Sequence, residues 1–316
     1  MKKSGCAMLV PSMRCVRYTF KMVRDRARVK RFLDDYGKVF AVSFFVIAIG
    51  VTIFFLYSLT LPKKLHVTFF DVGQGDSILI QTPSGHEVLI DGGATSLVVK
   101  KLSKKMGYFD KHLDVMIATH DDADHITGLV PTLARYEVGT VITSSVDGTS
   151  GIDRELDSAV MREGAQVHVG VQGEYVDFGD GVVMHTLYPL TRDEHGDTND
   201  ASVVTLITYG KHSFLLTGDL SKEREPQALT EELPSSVTVY KAGHHGSKTS
   251  SGEALLSRIH PEYVVISAGR DNKYGHPHKE TLERLTKYSK EILSTSERGD
   301  IEFVSDGESV EVVTEQ

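Results

Sequence analysis

A chain of 316 residues allows two small domains or one large one, and 40% hydrophobic with 25% charged residues excludes wholesale disorder. Two cysteines cannot supply a disulfide scaffold or a four-cysteine zinc site, so any metal must be held by His, Asp and Glu. The net charge of −8 hides two opposite parts: residues 1–38 carry eleven basic and three acidic side chains (Asp25, Asp34, Asp35), whereas 24 basic and 40 acidic residues follow from Pro62 on, a net of −16.

No charge interrupts Val39 to Leu61. As a helix this stretch spans about 35 Å, enough for a hydrocarbon core of about 30 Å. A buried core helix of that length would show a polar face. A cleaved signal peptide would have a shorter apolar stretch and a small-x-small site, which Leu59-Thr60-Leu61-Pro62 is not. Residues 39–61 are therefore predicted to be the signal anchor of a single-pass cell-membrane protein. The basic excess at residues 1–38 predicts a cytoplasmic N-terminus and an extracytoplasmic C-terminal domain, opposed weakly by Lys63 and Lys64. The first twenty residues show no pattern, and Met13 and Met22 are alternative starts. Cys6 and Cys15 both lie there, which excludes a thiolate nucleophile or ligand from the outer domain.

From Leu65 onward short β-rich runs alternate with helical ones. Strands fit Leu65–Phe70, Ser77–Gln81, Glu87–Ile90 and Val115–Ala118, with a helix over Ser96–Met106. Further strands fit Thr140–Thr143, Val167–Val169, Val182–Leu187, Ser202–Thr208, Ser213–Leu216, Val237–Tyr240, Tyr263–Ile266, Ile301–Val304 and Val310–Val313. Helices fit Ile126–Tyr136, Arg154–Arg162, Lys222–Glu232, Gly252–Ile259 and Lys279–Leu293. Locally pairing strands with interspersed helices predict an α/β (α+β) domain over 65–316, two mixed sheets packed face to face with helices outside.

The chemistry collects at strand ends. Directly after Val115–Ala118 comes Thr119-His120-Asp121-Asp122-Ala123-Asp124-His125. An exposed acidic loop is the bland explanation, but packing gives no reason for two histidines and three carboxylates at a strand mouth. Alternating side chains can serve two cations, His120 and Asp122 one, Asp124 and His125 the other. Gly128 lets the following helix approach closely.

His-x-Asp-x-Asp-His resembles the His-x-His-x-Asp-His signature of the metallo-β-lactamase fold superfamily, with Asp122 replacing the middle histidine. The resemblance implies an αββα sandwich with metals at one edge. It further implies that Asp91, in Leu89–Gly93, supports the metal loop from behind, and that Asp219, in Leu215–Asp219, bridges two metals. Val239–Ser247 looks like the strand delivering the last histidine. His244 and His245 are interchangeable in sequence: one binds metal and its neighbour contacts a phosphate or leaving group. We place His244 on metal and His245 with Asp124 and Lys241 in catalysis. Asn199–Ser202 stands where many members have another histidine, so one site lacks a ligand or uses Ser202 or Asn199; the nearest histidine is His195.

Phe70–Ser77, Lys241–Ser247 and Asn272–His278 resemble more narrowly the extracytoplasmic hydrolase-like domain of the ComEC family of competence DNA-uptake proteins. That family has many membrane helices and this chain one, so only the hydrolase-like domain transfers. The loop holding Asp71, Gln74 and Asp76 could be merely a glycine turn; its functional role would be to buttress the metal loop or touch substrate, as would Ser247. His276 is expected to bind metal. The remaining histidines lack clustered partners and are expected to be structural or exposed.

The resemblance implies a membrane-anchored metal-dependent hydrolase, most readily a phosphodiesterase or nuclease with DNA as a possible substrate. Two divalent ions, manganese or zinc, would activate a water, and Asp122 would tilt the preference toward manganese. A domain of net charge −16 repels a polyanion unless a local patch reverses the sign, and Lys241, Lys248, Arg270 and Lys273 adjoin the motifs. The alternatives are a carboxylic ester, lactone or β-lactam hydrolase with an apolar groove, and a non-catalytic metal-binding surface module.

Overall fold

A computed structural model describes residues 22–60, 64–107, 110–146, 148–192 and 196–315; Cys6, Met13, Cys15, Lys63 and His195 lie outside the described residues. The chain divides into two units at Leu61/Pro62. The first contains helix α1 (Met22–Thr60), within which Arg28–Leu56 is long and apolar enough to cross a membrane, its most apolar 18 residues having a mean hydropathy of 2.8. Its large apolar side chains, among them Phe40, Phe44 and Phe54, are exposed along the whole stretch.

The second unit holds two sheets. The first runs β15 (Val310–Thr314), β14 (Ile301–Ser305), β1 (Leu65–Phe69), β2 (Ile78–Gln81), β3 (Glu87–Ile90), β4 (His112–Ile117), β5 (Glu137–Thr143), β6 (Gln166–Val169). The second runs β13 (Glu291–Ser294), β12 (Tyr263–Ile266), β11 (Val239–Lys241), β10 (His212–Leu216), β9 (Val204–Tyr209), β8 (Val182–Tyr188), β7 (Tyr175–Asp177). Strand alternation builds the layers. Val67, Phe69, Ile78, Ile80, Val88 and Ile90 of one sheet meet Phe214, Leu216, Val239 and Val265 of the other in a shared core. Leu79, Leu89 and Met116 turn outward onto α2 (Leu97–Lys105), α3 (Ala123–Ile126), α4 (Leu129–Leu133) and α5 (Gly151–Glu163). Leu215, Tyr240, Val264 and Ile266 turn outward onto α6 (Glu253–Ile259) and α7 (Lys279–Tyr288). A short α8 (Thr295–Arg298) completes the helices among the described residues. The expected α/β sandwich is present.

Several elements differ from expectation. The helix expected over Ile126–Tyr136 is two pieces, α3 and α4, broken at Thr127–Gly128. A Cβ on Gly128 would stand 1.9 Å from the Gly92 carbonyl oxygen, so the backbones of the Asp91 turn and the metal-loop helix touch there. The Lys222–Glu232 segment is only a 3-10 turn at Glu225–Ala228, because Glu225 is drawn inward to accept bonds from the Ser251 and Gly252 amides at 2.6 and 2.7 Å. The helix beginning at Lys279 ends at Tyr288, and the chain then runs as β13 beside β12.

Candidate metal centre

Parallel β3 and β4 end side by side, and their following loops carry Asp91 and the His120–His125 segment. Asp91 adopts φ 57°, a left-handed conformation uncommon outside glycine, which turns its carboxylate under the metal loop. There it accepts from the Thr119 amide at 2.9 Å and the Thr119 hydroxyl at 2.7 Å, and lies 2.8 Å from His125 Nδ1. In the neutral imidazole, a bond from His125 Nδ1–H leaves Nε2 as the lone-pair nitrogen, facing the centre. Asp91 thus supports the loop from behind, and Thr119, not singled out in the sequence, is its partner. A polar β-branched residue closing a buried strand was the available signal.

His245 repeats the arrangement from the other sheet. β11 leads into a 3-10 turn at Gly243–Gly246 where His244 and His245 sit at φ 48° and 54°. His245 Nδ1 lies 3.2 Å from Asp76 Oδ1, and Lys241 Nζ lies 2.8 Å from Asp76 Oδ2. All three are closed to solvent: Lys241 is 0%, His245 1% and Asp76 2% exposed. Lys241 also donates to the Ala242 carbonyl at 2.8 Å. Its ammonium is therefore committed behind the site, correcting its placement in catalysis and in a phosphate patch. Strand alternation sends Val239 inward, Tyr240 outward and Lys241 inward, a signal present in the sequence.

Asp219 closes the group from the end of β10. Its Oδ2 lies 3.4 Å from His125 Nε2, 3.4 Å from His245 Nε2, 3.6 Å from His244 Nε2 and 4.0 Å from His120 Nε2. Its amide donates to Ser202 Oγ at 3.1 Å. That bond makes the Ser202 hydroxyl a support for the Asp219 turn. Asp124 Oδ2 lies 3.3 Å from His245 Nε2. Asp122 Oδ2 lies 4.0 Å from His120 Nε2, while its Oδ1 accepts from Thr198 Oγ1 at 2.8 Å. Thr198 is a further residue at the site, outside every motif legible in the sequence.

The remaining candidates stand farther out. His245 lies within the buried group, and His244 is half-buried beside it with its Nε2 3.6 Å from Asp219 Oδ2. His276 stands there too, its ring centroid 5.6 Å from that of His244 and 6.4 Å from that of His245. Asp71 accepts from the Gly73 amide at 3.2 Å within its own turn. Gln74 Oε1 accepts from the Gly269 amide at 3.2 Å, tying its loop to the chain after β12. A Cβ on Gly75 would lie 1.9 Å from the Asp124 carbonyl oxygen, so the backbones of this turn and of the His120–His125 segment touch there. Ser247 pairs with Thr249 Oγ1 at 2.9 Å inside its turn.

Charges follow the geometry. Burial opposes the charged form of every group here, but Asp219 and Asp91 outweigh it at His125 and raise its pKa well above the ordinary value. Asp219 and Asp76 likewise raise His245 to about 9 against its burial. Against burial again, His245 and His125 hold Asp219 well below the carboxylate range. Burial and the neighbouring His125 push His120 down to about 4.

These residues fit a metal. His120 Nε2, His125 Nε2, His245 Nε2 and Asp219 Oδ1 are buried without a hydrogen-bond partner, a costly state unless something binds them. One donor atom from each of Asp76, His125, Asp219 and His245 falls within 4.8 Å of the others. Imidazole nitrogen with carboxylate oxygen is the donor set of zinc, iron and manganese sites. Beside this group opens a cavity of about 400 Å³ lined by Asp197, Asn199, Asp200, Asp219, Ser221, Glu223, His244 and Thr249.

A sequence profile of the metallo-beta-lactamase superfamily matches residues 70–270. The chain is 31% identical over 260 residues to ComE operon protein 3 of Bacillus subtilis, covering 77% of this chain and 33% of that protein. It is 29% identical over 241 residues to competence protein ComA of Neisseria gonorrhoeae, covering 75% and 32%. The chain thus spans about a third of the length of these curated relatives. The solved metallo-beta-lactamase fold protein YhfI of Bacillus subtilis superposes with a TM-score of 0.50 at 13% identity, over 79% of this chain and 100% of that one, a likeness of fold alone. With its two-sheet sandwich, its loops in this order and the profile match, the chain belongs to the metallo-beta-lactamase superfamily.

Proposed function

We propose that this protein is a membrane-anchored, extracytoplasmic hydrolase of phosphodiesters that works with two divalent metal ions, manganese or zinc. The observation carrying a metal-dependent reaction is the set of buried, unpartnered donor atoms of His120, His125, His245 and Asp219. When bound, such ions supply Lewis acidity and a water of lowered pKa. The chain itself holds the donors in place. Asp91 and Thr119 orient His125, while Asp76 and Lys241 orient His245. His244, half-buried beside the cavity with Nδ1 3.3 Å from Thr249 Oγ1, is placed to hand a proton to a departing oxygen.

Support for a phosphodiester, with DNA as the leading case, comes from relatives named for competence and from the exposed Lys248, Arg270 and Lys273 beside the motifs. The anchor rests on α1, with the basic excess before Val39 setting the direction. A specific observation favours the second reading, a carboxylic ester or lactone hydrolase: among the described residues Asp197, Asp200, Asp219 and Glu223 line the cavity and no lysine or arginine does. An anionic substrate entering there depends on bound cations to reverse the sign.

The test compares kcat/KM for bis-p-nitrophenyl phosphate and for a neutral lactone, at low and high salt, in the wild type and in Lys248→Glu. Loss confined to the phosphodiester and largest at low salt supports the proposal, because the field of an exposed lysine is screened over about 8–10 Å. Efficient lactone hydrolysis without phosphodiester cleavage in either metal overturns it.

A further inference from the structure

The outer face of the first sheet carries a second concave site. Lys111 immediately precedes β4, whose other end leads to the metal loop, so this site lies about 20 Å back along a six-residue strand. Between α2 and the end of α4 runs a groove of about 590 Å³ lined by Ser96, Val99, Lys100, Ser103, Lys111, Pro131, Arg135 and Tyr136. Ser96, Val99, Lys100 and Ser103 recur at helical spacing, so they form one face of α2. Tyr136 is 3% exposed, and Lys111 Nζ stands 4.8 Å from its ring centroid.

The charge of this groove is its unusual feature. Among the described residues three cations and no acid line it, in a domain of net charge −16, with Glu87 and Asp110 acting on Tyr136 from outside the lining. The other lysines of α2 face carboxylates. Lys101 pairs with Asp300 at 2.6 Å, Lys105 with Glu302 at 2.8 Å and Lys104 with Glu315 at 3.9 Å. Among the described residues, Lys100, Lys111 and Arg135 have no carboxylate within 4.0 Å. Exposed like-charged groups gathered in one concavity repel each other, and an anion relieves that repulsion.

We propose that this groove binds the phosphate of a soluble phosphate ester of nucleotide size. Two ammonium groups and a guanidinium, with the Ser96 hydroxyl, suit the several oxygens of a dianion, while the Ser103 hydroxyl is held by the Lys100 carbonyl. The volume lies within the range of small-ligand pockets. A nucleic-acid strand or a membrane plane would need the positive surface to continue, and it stops where Lys101, Lys104 and Lys105 meet their carboxylates.

The full chain in detergent micelles with EDTA would be titrated calorimetrically with thymidine 5′-monophosphate, thymidine and a thymidine oligonucleotide. The monophosphate should bind and thymidine should not. Arg135→Glu and Lys100→Glu should each weaken binding by about tenfold or more, whereas Asp124→Ala at the metal edge should leave it unchanged. Both groove residues are exposed, so circular dichroism should show the native fold, and Lys100→Ala provides a milder second variant. Absence of monophosphate binding overturns the proposal, as does binding indifferent to both charge reversals. Binding of the oligonucleotide without binding of the monophosphate also overturns it.

Discussion

Lys241 and Asp76 form a 2.8 Å ion pair with both side chains closed to solvent, and the second oxygen of that carboxylate faces His245. Removing one member of such a pair strands a buried charge, a cost of about 3–5 kcal/mol. Lys241→Met should therefore lower the melting temperature by at least about 6 °C in a domain of this size. Adding Asp76→Asn should recover part of the loss. Thermal melting of the two single variants and the double variant checks this; losses that simply add would show that the pair is not coupled.

Metal affinity should rise with pH. Without metal, His245 holds its proton up to about pH 9, because Asp219 and Asp76 outweigh its burial. Metal must displace that proton, so apparent affinity should climb about tenfold per unit between pH 6.5 and 9 for one proton released. In the metal-free protein the same shift acts oppositely on stability. The contribution of a raised histidine pKa is complete below about 6.5 and disappears as pH rises through about 9. Manganese and zinc titrations at several pH values test the first part, and melting curves in EDTA test the second. Flat profiles would contradict both.

Acid should act through Glu302. The neighbouring His66 imidazole and then the Lys105 ammonium hold its carboxyl down at about 2, although burial opposes them. A depressed carboxyl contributes stability above its unfolded pKa, and that contribution is lost as pH falls toward the folded value. Glu302→Gln should cost on the order of 1 kcal/mol at pH 7, and the difference from wild type should vanish near pH 2. Urea unfolding of both proteins at pH 7, 4 and 2.5 would show whether the gap closes with acid.

The asymmetry of basic residues about residues 39–61 should place the C-terminal domain outside. Protease added to intact cells should remove a C-terminal tag. Protection until the membrane is broken would reverse the orientation.

How much of this was legible in the sequence follows from periodicity. Strands of the shared core announce themselves because each alternates a residue facing the other sheet with one facing helices. β7 was missed because Tyr175–Asp177 is a short, largely exposed edge with no buried face to pattern it. β13 looks helical in sequence because Leu285, Ile292 and Leu293 continue an apolar spacing across the break at Ser289. The metal loop was legible since its carboxylates and histidines have no packing purpose. The order of His244 and His245 was not, because backbone torsions decide which of two neighbours faces inward. Lys241 misled for a related reason: a lysine beside a histidine motif suggests an anion, whereas its partner Asp76 lies far off in sequence.

The central claim is that the buried group of His120, His125, His245 and Asp219, with Asp124, supports metal-dependent phosphodiester cleavage. The most direct measurement is the rate of bis-p-nitrophenyl phosphate hydrolysis by the full chain in manganese, in the wild type and in Asp124→Ala. Asp124 is part-exposed at the edge of the group, so the variant should fold and should lose at least about 10²-fold in kcat/KM. EDTA should abolish the wild-type rate. An Asp124→Ala protein with normal metal content and undiminished turnover would contradict the assignment of this centre.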